Sequence, residues 1–267
     1  MHATMRPLGF GEILDGAFTL LRRNFSALFG MALLPQIPII LFWLIAPALI
    51  DPVAEGEVFL SAAPLLLSPY SIFASLLIMG ALTHAADVAY RGDRPGISSS
   101  LGRGLRRFLP LLVVSVLAWL AMVVGFLLLV IPGLIVIAMY FAAYAAVVIE
   151  QRGPLDALGR SQRLSKGARM RILGVVGIAV LITYLPLMAM WMFAGVSIGI
   201  GAALSAAAAS GTSVWLMSLM QACTIVIGAV TMPFLINVTV LLYYDRRART
   251  EAPDLESAVA ALQGNAV

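Results

Sequence analysis

The chain has 267 residues, of which 61% are hydrophobic and only 11% carry a charge. Soluble globular domains contain about 25% charged residues. Together with a mean hydropathy of +1.00, this composition excludes a soluble enzyme, a disordered chain and a nucleic-acid-binding domain. The 17 basic and 13 acidic side chains leave a net charge of +4, which in so apolar a chain indicates contact with a membrane surface.

The first predicted element is an amphipathic helix over 9–24. The opening residues contain one arginine and no apolar run of the signal-peptide kind, so we expect no cleavage there. Acidic residues near the start of the helix, and Arg22 and Arg23 near its end, suit the helix dipole. Its apolar residues recur at helical spacing and form one stripe: Phe10, Ile13, Leu14, Ala17, Phe18, Leu21 and Phe25.

Six stretches are long and apolar enough to cross a bilayer, which takes about 20 residues. Ile131–Gly133 divides the uncharged stretch 108–149, because a single helix would be about 63 Å long, twice the hydrocarbon core. The small and polar run Gly199–Ser213 divides 172–244 in the same way. The predicted spans cover about 27–50, 64–90, 109–131, 134–150, 172–196 and 214–244.

The distribution of charge supports this count. With six spans, all 17 basic residues fall on one side, while the opposite loops carry only Asp51, Glu55 and Glu57. A single helix over 108–149 would instead place the charges of 152–171 on the wrong side of the membrane. The positive-inside rule therefore predicts that both termini are cytoplasmic.

A basic amphipathic segment precedes each odd-numbered span. Aligning Phe18, Leu101 and Leu158 brings three arginines into register five residues later, which indicates three copies of an interfacial helix plus a two-span hairpin. These segments are either independent positive-inside anchors or a platform that binds anionic lipid headgroups, and both interpretations stay open. The candidate headgroup or partner surface comprises Arg22, Arg23, Arg103, Arg106, Arg107, Arg160, Arg163, Lys166 and Arg169.

Few polar residues lie in or near the predicted spans, and ionisable ones there are candidates for function. His84 and Asp87 share a face of the second span, and Glu150 ends the fourth. Local pairing at the interface explains all three, for example between Asp87 and an arginine four residues later. Gln221 and Asn237 lie deeper, where hydrogen bonds between helices explain them, although they could also line a substrate path.

Signals of catalysis or of metal binding are missing from the sequence. It lacks a nucleophile elbow, a Walker loop and any Cys-x-x-Cys pair, and it has only two histidines and one cysteine, Cys223. We therefore expect no catalytic residues, no metal and no cofactor. Beyond the last span, 251–267 is predicted to be a cytoplasmic tail with a short surface helix that begins at Pro253.

Several motifs resemble bacterial proteins that carry a glycerophosphoryl diester phosphodiesterase membrane domain. They are Gly11–Phe18 with Arg22–Phe25, Ile131–Gly133, Pro154–Ser161 and Leu242–Asp245. The resemblance extends over about residues 6–262 and implies a six-span module of the bacterial inner membrane. The soluble catalytic domain to which such modules are sometimes fused is absent from this chain, so the resemblance implies no activity and carries over no functional residues.

These observations predict an all-α, polytopic integral membrane protein with six transmembrane helices and three interfacial amphipathic helices. The leading hypothesis for its function is a non-enzymatic scaffold that interacts with membrane lipids, or a membrane anchor for a partner protein. The alternative is a transporter or permease for a lipid-like or small solute. An intramembrane enzyme built on His84, Asp87 and Glu150 is a third and weaker interpretation.

Overall fold

The computed structural model describes residues 8–51, 55–204 and 209–264, and every regular element in those ranges is helical. Two short 3₁₀ turns, Leu34–Gln36 and Ala46–Ala48, interrupt the first span. The α-helices are α1 (Phe10–Arg23), α2 (Phe25–Leu33), α3 (Ile37–Ile45), α4 (Gly56–Tyr90), α5 (Ile97–Arg106), α6 (Phe108–Leu128), α7 (Val130–Tyr140), α8 (Ala143–Val148), α9 (Pro154–Ser165), α10 (Arg169–Leu204) and α11 (Ala209–Gly264).

Six of the helical segments are long and apolar enough to cross a membrane. The prediction of an all-α, six-span membrane protein is therefore confirmed. In chain order, the six spans are Phe25–Ala48, Val58–Tyr90, Phe108–Leu128, Val130–Val148, Arg169–Val196 and Val214–Glu251.

Proline divides the first span into short pieces. Pro35, Pro38 and Pro47 each stand at the first or second position of a new helical segment. Proline has no backbone N–H, so it is tolerated where a helix begins but removes a hydrogen bond inside one. The first span is consequently segmented, whereas Pro64 and Pro69 are accommodated inside the continuous helix α4.

The third and fourth spans form a tight hairpin that turns at Leu129. This residue is extended, with φ −174° and ψ 163°, and Pro132 and Gly133 lie in the first turns of α7 rather than in the connection itself. A Cβ added to Gly125 would lie 3.0 Å from the Cα of Gly133. The two helices can therefore approach each other closely because both positions are glycine.

The last two spans extend beyond their predicted ends. Helix α10 continues to Leu204 and α11 begins at Ala209, so most of the run 199–213 is helical and the connection falls at 205–208, outside the described residues. Helix α11 also continues without a break to Gly264. The expected start of a separate helix at Pro253 is therefore replaced by an extension of the sixth span.

The three amphipathic helices α1, α5 and α9 pack against the spans. Ile13, Ala17 and Leu21 of α1 are buried, and this helix lies mainly on α11. Its predicted stripe is consequently divided, because Phe10 and Phe18 stay exposed.

In two of the three amphipathic helices the aligned arginine has the same position relative to the next span. Arg23 and Arg106 are the last residues of α1 and α5, and in both cases one residue separates them from the next helix. Arg163 lies two residues before the end of α9, and a longer linker follows in which Gly167 has φ +73°. The third copy therefore departs from the other two at its connection to the span.

Candidate functional site

The last span carries four consecutive polar residues, Tyr243, Tyr244, Asp245 and Arg246, all of which are buried. Their partners come from the ends of the second and fourth spans, from the segment before α1 and from the linker before α10. These contacts bring the ends of the second, fourth and sixth spans to one side of the bundle. Because the arginines and the lysine of the sequence also lie in the segments at these ends, we call it the basic side.

Tyr243 donates a hydrogen bond to Glu150. Glu150 also pairs with Arg152 and, at 3.0 Å, with Arg160. Burial opposes the ionisation of Glu150, but the hydrogen bonds from these three partners outweigh it and lower its pKa from 4.5 to about 2. Arg160 reaches Glu251 as well, so a chain of alternating charges links span 4, α9 and α11.

Tyr244 donates to Asp87, which pairs with Arg91 at 2.9 Å. The hydrogen bond that Arg91 donates to Asp87 raises the pKa of Arg91, which therefore stays charged. The ring of Tyr244 also stacks on Tyr90, with 4.4 Å between the ring centroids. The pairing of Asp87 with the arginine four residues later is thus present, and the last span adds a partner that the sequence did not indicate.

Asp245 holds the start of the chain against the bundle. Its side chain is fully buried and accepts hydrogen bonds from the backbone N–H of Leu8 at 2.8 Å and from Arg249 at 2.9 Å. Arg171 lies 3.2 Å from its other oxygen. Both arginines also donate to the carbonyl of Leu8, so both backbone polar groups of this residue are satisfied.

Arg246 binds backbone rather than another charge. Its guanidinium donates to the carbonyls of Leu164 at 2.9 Å and Lys166 at 3.2 Å, at the end of α9. Leu164 belongs to the last turn of α9 and Lys166 directly follows it, and carbonyls at the end of a helix lack a partner within the helix. Arg246 therefore caps α9 and fixes the linker that enters the fifth span.

Helix α5 is held by two further contacts. His84 lies 3.2 Å from the hydroxyl of Ser100. Arg107, directly after α5, donates to two acceptors of Gln151, the backbone carbonyl and the side-chain oxygen. Gln151 has φ 57°, in the left-handed region, which non-glycine residues seldom adopt. Arg107 thus stabilises the turn that follows the fourth span.

The predicted surface of basic residues separates into two groups. Arg22, Arg23, Arg106, Arg163 and Lys166 are exposed, and none of the ion pairs within the described ranges involves them. Arg22 lies over the ring of Phe18 at 5.9 Å. The first group is therefore available to an anion at the membrane surface.

The second group consists of residues that are bound by other side chains or half-buried: Arg103, Arg107, Arg160 and Arg169. The side chain of Arg160 is only 14% exposed and binds two carboxylates, so its expected role on a headgroup surface is corrected to an internal one. Arg107 is bound to Gln151. Arg103 and Arg169 are half-buried, and the Nε of Arg169 has no hydrogen-bond partner among the residues that the structure describes.

The two amides of the last span have different surroundings. Asn237 is buried and donates to the carbonyl of Ala17 in α1 at 3.3 Å, so it links the last span to the first amphipathic helix. Gln221 is half-buried, and none of the hydrogen bonds within the described ranges involves its side chain. Neither residue lines the cavity described next.

A cavity of about 700 Å³ lies among the second to sixth spans. Its wall is apolar apart from a few hydroxyl groups, and most of these are satisfied by their own helix. Ser75, Thr83, Ser115 and Thr239 each donate to a backbone carbonyl three or four residues earlier. The cavity therefore offers a mainly apolar surface to any molecule that enters it.

The described residues contain no group of three or more His, Cys, Asp or Glu side chains that could hold a metal ion. Comparison with known proteins yields no matching family model, curated protein or solved structure. The resemblance to the phosphodiesterase membrane domain therefore stays a prediction.

The sequence pattern indicates Asp87 and Glu150 as polar candidates, whereas their tyrosine partners appear in it only within the motif Leu242–Asp245. Tyr243 and Tyr244 stand at the end of an apolar stretch, followed by Asp245 and Arg246. Two adjacent tyrosines at the end of a span are also typical of an aromatic belt at the membrane interface. Their position directly before an acidic and a basic residue was the available signal that they are internal donors instead.

Proposed function

We propose that this multi-pass membrane protein is a non-enzymatic scaffold whose basic side binds anionic lipid headgroups and holds a partner protein at the membrane. The supporting observation is that the basic side chains fall into two groups, one bound inside the protein and one exposed. Arg160, Arg171 and Arg246 are bound to internal carboxylates and carbonyls, whereas the five exposed residues of α1, α5 and α9 and its linker form no ion pair with another described residue.

The charge balance agrees with this proposal. All 17 basic residues but only ten of the 13 acidic ones lie outside the loops at 51–57, so the basic side has a net positive charge. Near an anionic leaflet, each lysine or arginine contributes about 1 kcal/mol of attraction. Apolar side chains of the same helices, such as Phe18 and Leu105, are exposed beside the cations and would lie against the lipid.

The test replaces Arg22, Arg23, Arg106 and Arg163 together by glutamine. Native mass spectrometry of the purified protein then measures retained phosphatidylglycerol relative to phosphatidylcholine. We expect the preference for phosphatidylglycerol to fall several-fold, and substitution of the same residues by lysine, which keeps the charge, to leave it unchanged. An unchanged preference in the glutamine variant would contradict the headgroup role.

The partner half of the proposal needs its own measurement. Protein extracted gently from its native membrane should carry a second protein in a fixed ratio, and the glutamine variant should carry less of it. If the native extract contains only lipid and no second protein, the anchor role fails while the headgroup role stands.

A second candidate function is transport of a lipid-like or small apolar solute. The observation that favours it is the cavity among the spans, whose volume falls in the range of about 300–1,000 Å³ for small-molecule sites. Liposomes that contain the protein should then move a fluorescent phospholipid between leaflets faster than empty liposomes. Equal rates across a panel of lipids and small solutes would contradict this function.

A further inference from the structure

We infer that the cavity among the second to sixth spans is a binding site for one acyl chain of a membrane phospholipid. The inference deepens the proposed interaction with lipid by naming the part of the lipid that enters the bundle. It rests on the apolar wall and on the depth of the cavity, and it does not require the exposed arginines.

The chemistry of the wall selects an apolar ligand. Lining residues such as Leu76, Ile137 and Met232 are hydrocarbon or thioether side chains. The serine and threonine hydroxyls donate to their own helices, and Tyr144 shares a hydrogen bond of 3.0 Å with Ser115. A solute with many polar groups would lose its hydrogen bonds with water there without replacing them, which costs free energy, whereas an acyl chain has none to lose.

The cavity extends along the spans from near the membrane surface to beyond the middle of the bilayer. Thr83 lies seven residues before the basic-side end of the second span, and Val176 lies seven residues after that of the fifth. At 1.5 Å per residue both are about 10 Å inside the bundle. Along α6 the lining residues extend from Leu112 to Met122, or from about 6 to about 21 Å, within a hydrocarbon core about 30 Å thick.

The cavity is continuous with the surface that the spans present to lipid. Ile72, Val116 and Trp119 line it and are 52%, 48% and 58% exposed. A side chain inside an enclosed void would be screened on most sides, so these three residues form a rim. A chain can therefore enter sideways from the leaflet while its headgroup stays at the membrane surface.

Helix α9 contacts the wall of the cavity at one residue. Gln162 donates to the hydroxyl of Tyr140, which lines the cavity, at 3.1 Å. No residue of α9 is itself part of the lining. We expect the occupant to lie along the spans and to enter through the rim.

The experiment fills the cavity and counts bound lipid. Ala118 and Ala121 are both half-buried on α6, but only Ala118 lines the cavity. Purified Ala118→Phe and Ala121→Phe variants are incubated with phosphatidylcholine or with phosphatidylglycerol, and native mass spectrometry measures the lipid retained per chain. Val180→Phe, at a lining position, and Leu181→Phe, beside it and outside the cavity, form a second pair in case the first pair does not fold.

We expect the wild-type protein and the control variants to retain one molecule of phosphatidylcholine, and the filled variants to retain at least tenfold less of it, whereas phosphatidylglycerol held by the exposed arginines stays bound in all of them. Equal retention of phosphatidylcholine by filled and control variants would overturn the inference, as would retention of oleic acid but of neither phospholipid. Loss of phosphatidylglycerol alone in the arginine-to-glutamine variant tests the headgroup surface, so the two proposals fail independently.

Discussion

The hydroxyl of Tyr243 donates a hydrogen bond to Glu150, although 93 residues separate the two in the chain. This contact joins the end of the fourth span to the end of the sixth. The residues that follow Tyr243 make equivalent contacts with the second span, with the start of the chain and with the linker before the fifth span. One short stretch of the last helix therefore contacts four of the segments that meet on the basic side.

The first prediction concerns the pH dependence of stability. The depressed pKa of Glu150, about 2 against 4.5, means that its ionised form stabilises the native state above about pH 4.5, and that this contribution is lost as the pH falls towards 2. Glu150→Gln should remove it at neutral pH, at a cost of about 1.5–3 kcal/mol, the range for hydrogen bonds to a charged group.

Thermal unfolding in detergent, followed between pH 7 and pH 3, provides the measurement. The wild-type protein should unfold at a higher temperature than Glu150→Gln at pH 7, and the difference should shrink as the pH falls. Asp156→Gln, at an exposed acid of α9, is the control. A difference between wild type and Glu150→Gln that is constant with pH would contradict the prediction.

The second prediction concerns the attachment of the chain start. Asp245→Asn removes the negative charge that pairs with Arg171 and Arg249 and weakens the acceptor for the N–H of Leu8. Amide hydrogen exchange in α1 should accelerate about tenfold, which corresponds to about 1.4 kcal/mol of local stability. Exchange in α5 should change little, and Asp93→Asn, at an exposed acid, should leave both helices unchanged. Equal acceleration in α1 and α5 would indicate general destabilisation instead.

The third prediction concerns the close contact of α5 with the second span. A Cβ added at Gly104 would lie 2.7 Å from the carbonyl oxygen of Leu77 and 3.0 Å from the backbone nitrogen of Ala81. Backbone cannot move aside cheaply, so Gly104→Ala should destabilise the protein by about 1–3 kcal/mol. Gly102 lies on the same helix, and a Cβ there meets nothing within 4 Å. Gly102→Ala should therefore leave the unfolding temperature unchanged or raise it, and a similar loss in both variants would disprove the packing argument.

The fourth prediction concerns orientation. The positive-inside rule predicts that the basic side faces the cytoplasm. In a Cys223→Ser background, Leu49→Cys, at an exposed residue near the opposite loop, should react in intact cells with a maleimide that does not cross membranes. Ser98→Cys, at an exposed residue in the first turn of α5, should react only after the cells are opened. The reverse pattern would invert the topology.

Composition and local pattern were enough to predict the class of protein, the number of spans and the three amphipathic helices. These features depend on hydrophobicity, charge and helical periodicity, which are local along the chain. The same local signals located Asp87 and its neighbouring arginine. They also misplaced some ends, because the connection at Leu129 and the continuation of α11 past Pro253 depend on how the helices pack.

Which polar residues meet depends on how the helices pack. Tyr243 and Glu150, Asp245 and Leu8, and Arg246 and the end of α9 are distant in sequence, and no periodic pattern relates them. The fold also determines which arginines are bound inside the protein and which stay at the surface. In the sequence the two kinds cannot be told apart, because both lie in basic segments with similar spacing. The cavity is likewise a property of five packed spans, since its volume depends on the gaps between helices rather than on any one of them.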